Sequence, residues 1–532
     1  MAVRYWVGGS GTWDASSTTN WSASSGGASG ASAPTSADDV IFDTNSGSGT
    51  VTLDTAGVSC KDFTYEYTVT TITFSGASSF GISSYGFFDM VAYNSTALND
   101  TVVRIQGTGL DIGYQSFVGT LFINAACTLF SRIYARYMYV YAAINLDGGT
   151  AYVNGCQTGS SGTMTNGTVD CTGLSGYYSG FSFTTDMPGV TVAVRTSTAT
   201  PSVSINPSNP SGAPNLTITN ANTTTVADMR VNNLTISAGT TTLPSSSYAY
   251  GSISMTSAAT VQSPGNSAGI QMAKVSGSPS VTRTLQVECT FTGSYDLNFT
   301  INAGTDLVNV NGTKFGSPVS GRIGDISIQS ATTIYADNVY VSGFSVSPLI
   351  ACDITGAVSF TTGGFSNYST SFVQGSVAIN ILPSLASSAS VFNGSTGTYG
   401  TINILPSAAQ ISFSASNACT INNLVMQTTV GGGNIVVKIS GGATFNITGT
   451  WTLVGASPSD MIYMDNPAFG TTGTYTFSKS SGNVYAYYTS LRYCAATGGA
   501  NFYALPGYGN IDNGNNTGWI FDEGGGNFLM LF

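Results

Sequence analysis

The sequence predicts an all-β protein, an elongated β-solenoid similar to a parallel β-helix, with aromatic-rich segments at both ends. Two features of the 532 residues favour strands over helices. Only 7% of the residues are charged, so the Glu, Lys and Arg side chains that usually cover helix surfaces are scarce. Short runs alternate between apolar and polar residues, as in FTYEYTV at 63–69, which is typical of a strand with one buried face.

The polar residues favour a solenoid over the alternative fold, a string of β-sandwich modules. Gly, Ser, Thr and Asn fill most polar positions, and the turns between strand-like runs are short and frequent. Equivalent side chains of a solenoid lie over one another on successive strands, where like charges would repel and uncharged residues do not. Segments that start at Asn124, Asn220, Ser330 and Ser416 share a weak, irregularly spaced similarity, which is consistent with uneven coils.

Composition along the chain predicts six segments. A Gly/Ser-rich stretch at 23–36 is typical of a flexible loop, and PSVSINPSNPSGAP at 201–214 is rich in proline, which cannot donate to a strand ladder. The predicted segments are an N-terminal capping or attachment segment (1–50), a first solenoid segment (51–200), a Pro-rich interruption (201–214), a second solenoid segment (215–480), a closing segment (481–521) and a Gly-hinged apolar tail (522–532).

Four tryptophans are expected to close the two ends of the solenoid. Trp6, Trp13 and Trp21 lie among Gly, Ser and Thr near the start of the chain, and Trp519 follows a Gly/Asn-rich turn. The last coil at each end of a solenoid has unpaired backbone groups and an open core, which large aromatic side chains can cover. We expect these residues to cap the shaft or to dock it to a particle, with contact to a partner or a sugar as the alternative.

The chain ends in a short apolar tail behind three glycines. The tail is too short to span a bilayer, and left in water it would form an exposed apolar patch of the kind that folded proteins avoid. We expect it to insert into a groove or to add a strand on a neighbouring subunit, with folding back onto its own shaft as the alternative. The tail residues are Phe528, Leu529, Met530, Leu531 and Phe532.

Rows of tyrosine are the best candidates for a binding surface. In RIYARYMYVYA and NVYAYY the tyrosines alternate with aliphatic or small residues, so an apolar face turned toward the core leaves the rings outside. Each ring offers apolar area and a hydroxyl for contact with a sugar or a protein, although tyrosine also favours strands for packing alone. The candidate binding residues are Tyr137, Tyr139, Tyr141, Tyr485 and Tyr487.

The sequence predicts no catalytic residues, no metal site and no cofactor. The chain has no His, which excludes a Ser–His–Asp arrangement, and its isolated cysteines are expected to be small buried hydrophobes. Asp460 and Asp465 form the best pair of carboxylates for glycan cleavage, but turn and cap roles are the favoured explanation. On a strand, the adjacent Asp38 and Asp39 would point to opposite faces. Asp512 in DNGNN is typical of an Asx turn, with a Ca²⁺ ligand as the alternative.

Charge and hydropathy narrow the range of partners and compartments. A net charge of −11 argues against broad binding to nucleic acid, and the sequence has no apolar stretch long enough to span a membrane. The start, MAVRYWVGGSG, has no apolar signal region. Together with Met1, it favours a protein that is made and assembled in a cytoplasm.

The two ends of the chain resemble the flanks of Gly/Thr/Ser-rich β-structured proteins of tailed bacteriophages, notably marine and cyanobacterial ones. The residues that carry this resemblance are RYWVGGSGTWDASSTTNWS and DDVIFD at the start, and CAATGGANFYA and NIDNGNNTGWIF at the end. The middle of the chain is similar only in its general composition and strand pattern. Related flanks also occur in bacterial surface adhesins. The resemblance implies a non-enzymatic structural or adhesive protein of a phage particle, such as a tail fibre, a spike or a surface appendage.

The same resemblance implies the partners and the location of the protein. The expected partners are other virion proteins, further copies of the chain, with a trimer favoured by analogy with phage fibres, and a host surface glycan. The expected location is the virion, assembled in the host cytoplasm, and the extracellular or cell surface is the alternative. The alternative functions are a polysaccharide-degrading tailspike that uses an Asp pair and a bacterial cell-surface adhesin.

Overall fold

A computed structural model gives the fold as two compact units, Met1–Tyr250 and Gly251–Phe532. The structure describes residues 2–66, 72–75, 81–90, 98–107, 109–112, 118–130, 132–171, 180–195, 200–262, 268–292, 297–310, 313, 325–330, 333–335, 339–346, 351–353, 360–367, 371–374, 377–383, 390–394, 398–407, 410–415, 418–465 and 473–522.

The chain is all-β, as the sequence predicts. Within the described ranges, no helix reaches seven residues, and the helical elements are short 3₁₀ turns such as Pro210–Gly212 and Pro506–Tyr508. In the same part of the chain, no helix is long and apolar enough to cross a membrane.

The first unit consists of short strands that Gly, Ser, Asn and Pro separate. Its described strands, numbered β1 to β27 in chain order, are Val3–Trp6, Gly11–Trp13, Trp21–Ser22, Asp39–Phe42, Gly49–Leu53, Val58–Cys60, Phe63–Tyr65, Ile72–Ser75, Ile82–Ser84, Phe87–Met90, Leu98–Ile105, Gly109–Ile112, Val118–Ile123, Cys127–Leu129, Ile133–Val140, Ala143–Asn145, Thr150–Thr158, Thr163–Thr165, Gly167–Asp170, Phe181–Phe183, Val190–Val194, Ser202–Ile205, Asn215–Ile218, Thr223–Val231, Leu234–Ile236, Gly239–Thr242 and Ser246–Ala249.

The second unit is built in the same way. Its described strands, β28 to β56, are Ile253–Met255, Ala259–Gln262, Ala268–Ala273, Thr282–Val287, Thr290–Thr292, Leu297–Asn302, Leu307–Asn309, Asp325–Ser330, Thr333–Tyr335, Val339–Val346, Ala351–Asp353, Phe360–Asn367, Ser371–Val373, Ile379–Ile381, Ser390–Gly394, Thr398–Ile404, Gln410–Ser414, Cys419–Gln427, Ile435–Ile439, Thr444–Ile447, Trp451–Val454, Ile462–Asp465, Tyr475–Ser478, Asn483–Tyr487, Thr489–Leu491, Cys494–Thr497, Asn501–Tyr503, Ile511–Asp512 and Trp519–Ile520.

Parallel pairing joins each strand to a strand further along the chain. In the first unit Val40 lies opposite Phe63, and Phe63 lies opposite Phe88 on the next strand. Among the described strand pairs, one is antiparallel, between Val3–Trp6 and Trp21–Ser22 at the start of the first unit. Long parallel sheets therefore form both units, and their strands are linked by connections that return each strand to the same direction.

Side chains that meet across neighbouring strands are often of the same type. The hydroxyls of Thr50 and Thr73, 23 residues apart in the sequence, lie 3.3 Å from each other. The Nδ2 atom of Asn403 donates to Oδ1 of Asn380, again 23 residues away, at 2.8 Å. Uncharged polar residues thus lie over one another without repulsion, which explains why the chain needs so few charges.

Inward-facing residues form apolar columns that run across the strands. In the second unit the ring centroids of Phe392 and Phe413 are 4.5 Å apart, those of Phe413 and Phe445 are 4.6 Å apart, and those of Phe445 and Phe477 are 5.2 Å apart. All four rings are fully buried. Such ring pairs add about 0.5–1.5 kcal/mol each to the stability gained from burial alone.

The Pro-rich stretch 201–214 does not break the pairing of the strands. Strand Ser202–Ile205 pairs in parallel with Phe181–Phe183 on one side and with Thr223–Val231 on the other. The prolines lie in the connections that flank this strand, where no ladder hydrogen bond is required of them. The division between the two units falls after Tyr250 instead.

Candidate functional site

The three N-terminal tryptophans, here called the Trp cluster (Trp6, Trp13 and Trp21), lie together in the core of the first unit. Each is at most 1% exposed. The ring of Trp21 meets those of Trp6 and Trp13 edge to face, at 5.0 and 5.2 Å. Trp6 stacks on Phe42 at 5.7 Å and Trp13 stacks on Phe63 at 6.4 Å. The cluster therefore extends the group of buried rings that contains Phe42 and Phe63.

Small residues around the Trp cluster form the tight turns that bring its rings together. Gly9 has a φ of 72°, and a Cβ atom there would lie 2.4 Å from the carbonyl oxygen of Ser48. The Nδ2 atom of Asn20 donates to the carbonyl oxygen of Val7 at 2.9 Å, which ties the turn before Trp21 to the end of the first strand. The Gly, Ser and Thr residues between the tryptophans are what allow three large rings to pack here.

Trp519, the last of the four tryptophans expected to close the ends, lies at the end of the second unit. Trp519 is 8% exposed, and its ring centroid is 5.5 Å from that of Phe502 and 5.8 Å from that of Trp451. Its indole N–H donates to the sulfur of Cys494 at 3.4 Å. The apolar tail predicted from the sequence, Phe528 to Phe532, lies outside the described residues.

The first predicted tyrosine row lies on the outer side of strand Ile133–Val140. The aliphatic residues between the tyrosines are buried, while Tyr141 is 47% exposed and Tyr137 and Tyr139 are half-buried. Tyr139 stacks on Phe122 of the neighbouring strand, with centroids 5.0 Å apart and an angle of 15° between the planes. The structure thus brings the rings of Tyr139 and Tyr141 together with a phenylalanine that the sequence alone did not single out.

Arg104 extends this outer surface by one strand. Its guanidinium carbon lies 4.2 Å from the centroid of the Phe122 ring, a cation–π contact. Arg104, Phe122, Tyr139 and Gln157 occupy equivalent positions on successive parallel strands, and these four residues are here called the outer row. The strands hold the outer row in place, so its rings are ordered before any partner arrives.

A small notch interrupts the surface beside Tyr137. On the next strand the residue opposite Tyr137 is Gly155, which has no side chain to cover the ring. The notch has a volume of about 90 Å³, and Gly180 also lines it. Three positions earlier on the same two strands, the ring of Tyr152 stacks on that of Tyr134, with centroids 4.7 Å apart and planes within 7°.

The second predicted tyrosine row lies on strand Asn483–Tyr487 of the second unit. Tyr485 is 42% exposed, and its ring stacks on that of Tyr503 at 4.9 Å. The ring of Tyr487 lies 4.8 Å from that of Tyr508. Each tyrosine of this row is therefore paired with a ring from a neighbouring segment, whereas no ring of the described residues stacks on Tyr137.

Asp460 holds a loop, which gives it a structural role. Its Oδ1 accepts the backbone N–H of Gly433 at 3.0 Å, and its Oδ2 accepts the N–H of Gly431 at 3.1 Å and the hydroxyl of Ser457 at 2.6 Å. The hydrogen bond from Ser457, followed by those from the two glycines, lowers the pKa of this carboxyl. A carboxylate held in its charged form is a poor general acid. The side chain of its suggested partner, Asp465, lies outside the described part of the structure.

The adjacent carboxylates near the start of the chain also form structural contacts. Oδ1 of Asp38 accepts the backbone N–H of Ala2 at 2.8 Å, and Oδ2 accepts the hydroxyl of Thr35 at 2.8 Å. Asp39 forms an ion pair with Lys61 at 3.3 Å. These contacts anchor the first strand and use the two carboxylates separately. Asp38 lies in the bend before strand Asp39–Phe42, so the two residues do not share a strand as the sequence suggested.

The turn at Asp512 has the hydrogen bonds of an Asx turn. Its Oδ1 accepts the N–H of Gly514 at 2.8 Å and Nδ2 of Asn516 at 2.7 Å. Among the residues that the structure describes, no three His, Cys, Asp or Glu side chains converge to hold a metal ion. Burial raises the pKa values of the thiols of Cys127, Cys289 and Cys419 to about 12, so these thiols stay protonated and unreactive at neutral pH.

A pair of carboxylates that the sequence did not reveal lies in the first unit. Asp89 and Asp111 are directly opposite each other on the neighbouring parallel strands Phe87–Met90 and Gly109–Ile112. One buried carboxylate oxygen of Asp89 accepts no hydrogen bond. Burial, and then the charge of Asp111, raise the pKa of Asp89 to about 6. The segments FFDM and GLDI give no signal of this pair, because only the strand register brings them together.

A buried carboxylate of the second unit has the opposite environment. Asp306 accepts hydrogen bonds from Nζ of Lys274 at 2.7 Å, from Nε of Arg283 at 2.6 Å and from the backbone N–H of Val281 at 3.1 Å. Burial alone would raise the pKa of Asp306, but the hydrogen bond from Lys274 and the other contacts outweigh it and lower the pKa. This cluster is a structural ion network inside the unit.

No protein-family model, no curated protein and no solved structure matches this chain. The geometry of its own residues therefore carries the functional proposal. The surface features that remain after the structural contacts are accounted for are the outer row, the notch beside Tyr137 and the Asp89–Asp111 pair.

Proposed function

We propose that the parallel strands of each unit are the stacked coils of a β-solenoid. Side chains in contact across neighbouring strands recur at uneven sequence intervals, for example 18 residues between Asn483 and Asn501, 23 between Thr50 and Thr73 and 32 between Phe445 and Phe477. Like residues lie over one another, as in the pairs Phe392–Phe413 and Phe445–Phe477. Sandwich modules would instead pair their strands antiparallel. Negative-stain electron microscopy tests the proposal, since rods support it and compact beads contradict it.

On this architecture we infer a non-enzymatic structural and adhesive protein of a phage particle, such as a tail fibre, a spike or another surface appendage. The observation that carries this inference is the outer row, in which Arg104, Phe122 and Tyr139 follow one another on successive strands. Rings held by neighbouring strands form a preorganised contact surface, and little entropy is lost when such a surface binds. The resemblance of the two chain ends to phage proteins supports the proposal that the protein is part of a phage particle.

The partners of such a protein follow from its setting. We expect it to contact other virion proteins and a host surface glycan, and to form a homo-oligomer, a trimer by analogy with phage fibres. Its location would be the virion, assembled in the host cytoplasm. A bacterial cell-surface adhesin remains the alternative, because related flanks occur in such proteins.

Purified virions provide the test of this setting. We expect mass spectrometry of the particles to detect peptides of this chain, and gold-labelled antibodies to mark an appendage in electron micrographs. Labelling of a bacterial envelope in cells that carry no phage would contradict the virion proposal and favour the adhesin.

One observation favours a second candidate function, a polysaccharide-degrading tailspike. Carboxylate pairs cleave glycosidic bonds when one member is protonated near neutral pH, and Asp89 has a pKa of about 6 beside Asp111. An assay for new reducing ends on host capsule and lipopolysaccharide separates the two functions. The adhesive protein is expected to release none, whereas release that disappears in Asp89→Asn would establish the enzyme.

A further inference from the structure

One tyrosine of the outer surface lacks, among the described residues, the ring that covers its neighbour. Tyr134 and Tyr152 fill one strand spacing with two parallel rings, 4.7 Å apart. Beside Tyr137, three positions further along, the next strand offers Gly155. Among the described residues, the notch there is a gap in a stack of rings that leaves one face of the Tyr137 ring without an aromatic partner.

The gap extends over two strands. Gln157 lies opposite Ser182 in the following strand, so the register puts Gly180 opposite Gly155. Both glycines line the notch. Neighbouring strands are about 4.8 Å apart, so two positions without side chains leave an opening of roughly 10 Å along the stack. A single six-membered sugar ring, with room for its contacts on both sides, fits an opening of this size.

The lining of the notch matches the chemistry of a neutral sugar. The other residues that line it are Tyr139, Met138, Cys156 and Gln157, and none of them carries a charge at neutral pH. The exposed amide of Gln157 can donate and accept hydrogen bonds, and the apolar face of Tyr137 can receive C–H groups. A pyranose ring has both parts, an apolar C–H face and a rim of hydroxyls. An acidic ligand would find no cation in this lining.

We propose that the notch beside Tyr137 is a subsite for one neutral pyranose residue of a surface polysaccharide. The proposal rests on the adhesive function inferred above and adds the class of ligand and the residues that bind it. The sugar stacks on the ring of Tyr137, lies over Gly155 and Gly180, and exchanges hydrogen bonds with Gln157. The feature that identifies this site is the missing ring. The same two strands pair Tyr134 with Tyr152, but they pair Tyr137 with Gly155.

The test uses the full chain and an array of soluble oligosaccharides. The array carries neutral hexoses and N-acetylhexosamines, with uronic acids for comparison. Gly155→Tyr fills the notch with a ring that can stack on Tyr137 as Tyr152 stacks on Tyr134. Tyr137→Ala removes the stacking face. We expect the native chain to bind neutral sugars, and each of these variants to bind them about tenfold more weakly.

A matched control distinguishes an effect of the notch on sugar binding from a general effect of losing an aromatic side chain. Tyr134→Ala removes a tyrosine from the same strand outside the notch, and its sugar binding is expected to equal that of the native chain. Circular dichroism and urea unfolding check that each variant is folded. If Gly155→Tyr does not fold, Tyr137→Ala and the control decide the matter by themselves.

Three results overturn the proposal. They are no binding of the native chain to any neutral sugar, binding to uronic acids alone, and equal binding by Tyr137→Ala and the native chain. The third result leaves adhesion standing and moves the site elsewhere on the molecule. The proposal that the protein belongs to a virion is tested separately, by the antibody labelling of particles. It can fail without any change in the result of the oligosaccharide array.

Discussion

The start of the first unit and the described end of the second unit differ in how much aromatic surface they bury. The Trp cluster at the start of the first unit is fully buried, and strand Trp21–Ser22 adds an antiparallel partner to the outermost strand. At the end of the second unit, among the described residues, Trp519 packs against Phe502 and Trp451 while Ile511 and Ile520 stay exposed on the last strands. The start of the first unit thus combines more buried rings with a strand that uses edge hydrogen-bonding groups.

Two carboxylates, one in each unit, have opposite environments. Asp89 of the first unit faces another carboxylate on the next strand, which helps to raise its pKa to about 6. Asp306 of the second unit is enclosed by Lys274 and Arg283, and its pKa is lowered. The charge of the nearest side chains therefore decides whether each acid stabilises the fold or destabilises it.

The largest expected loss of stability comes from a substitution in the Trp cluster. Trp13→Ala removes a fully buried ring that contacts both Trp21 and Phe63, and we expect the free energy of unfolding of the first unit to fall by about 4–5 kcal/mol. Urea unfolding followed by tryptophan fluorescence measures this. Val3→Ala, at a more exposed position of the same end, is the control and should change stability by less than about 0.5 kcal/mol. Equal effects of the two variants would contradict the role of the Trp cluster.

The next effect concerns the ion network of the second unit. Asp306→Asn leaves Lys274 and Arg283 buried without their counter-charge, and we expect a loss of about 3–4 kcal/mol near neutral pH. Because the folded pKa of Asp306 lies below its unfolded value, its contribution is present above about pH 4 and is lost as the pH falls further. The difference between variant and native chain should therefore shrink in acid. The exposed Glu288→Gln provides the control, and a loss that did not depend on pH would argue against a charge effect.

A smaller loss is expected at the more open end. Trp519→Ala removes a ring that packs against Phe502 and Trp451 at the last described strands, and we expect a cost of about 2–3 kcal/mol. Its partial exposure and its place at the end let the surroundings relax more than around Trp13. Thermal unfolding of the two Trp→Ala variants under one set of conditions checks the order. If Trp519→Ala costs more than Trp13→Ala, the comparison of the ends is wrong.

The smallest effect, with the opposite sign, concerns the stacked carboxylates. The raised pKa of Asp89 means that the folded state binds more protons than the unfolded state between about pH 4 and pH 6, so stability falls as the pH rises through that window. We expect Asp89→Asn to stabilise the protein at pH 7 by about 1 kcal/mol, allowing for solvent screening of a half-exposed group, and to have little effect at pH 4. Urea unfolding at both pH values measures this, and an equal gain at both would exclude repulsion as the cause.

Composition and local patterns were enough to predict the class of fold and the direction of many side chains. The scarcity of charge and the alternation in segments such as Phe63–Tyr65 depend on neighbours in sequence, and the structure has strands there with the apolar residues buried. The Pro-rich stretch around Ser202–Ile205 was harder to interpret, because proline content alone does not reveal that a short strand fits between the prolines. Local chemistry thus predicts strands better than it predicts their boundaries.

The candidate site depended on register, which the sequence does not show. The outward direction of Tyr137 and Tyr139 could be predicted from alternation, but their different surroundings could not. Tyr137 meets Gly155 and Tyr139 meets Phe122 only because strands far apart in sequence are aligned in a particular way. The same alignment creates the Asp89–Asp111 pair. Contacts of this kind need the position of a second strand to within one residue.

Asp460 anchors the loop that joins strands Cys419–Gln427 and Ile435–Ile439. The carboxylate holds the N–H groups of Gly431 and Gly433 at the base, while Val430 at the tip is 82% exposed. Because the anchor acts below the tip, extra residues inserted beside Val430 would leave the hydrogen bonds of the flanking strands in register. The loop is thus a position where evolution or a protein engineer can graft a new peptide onto the ladder without redesigning it.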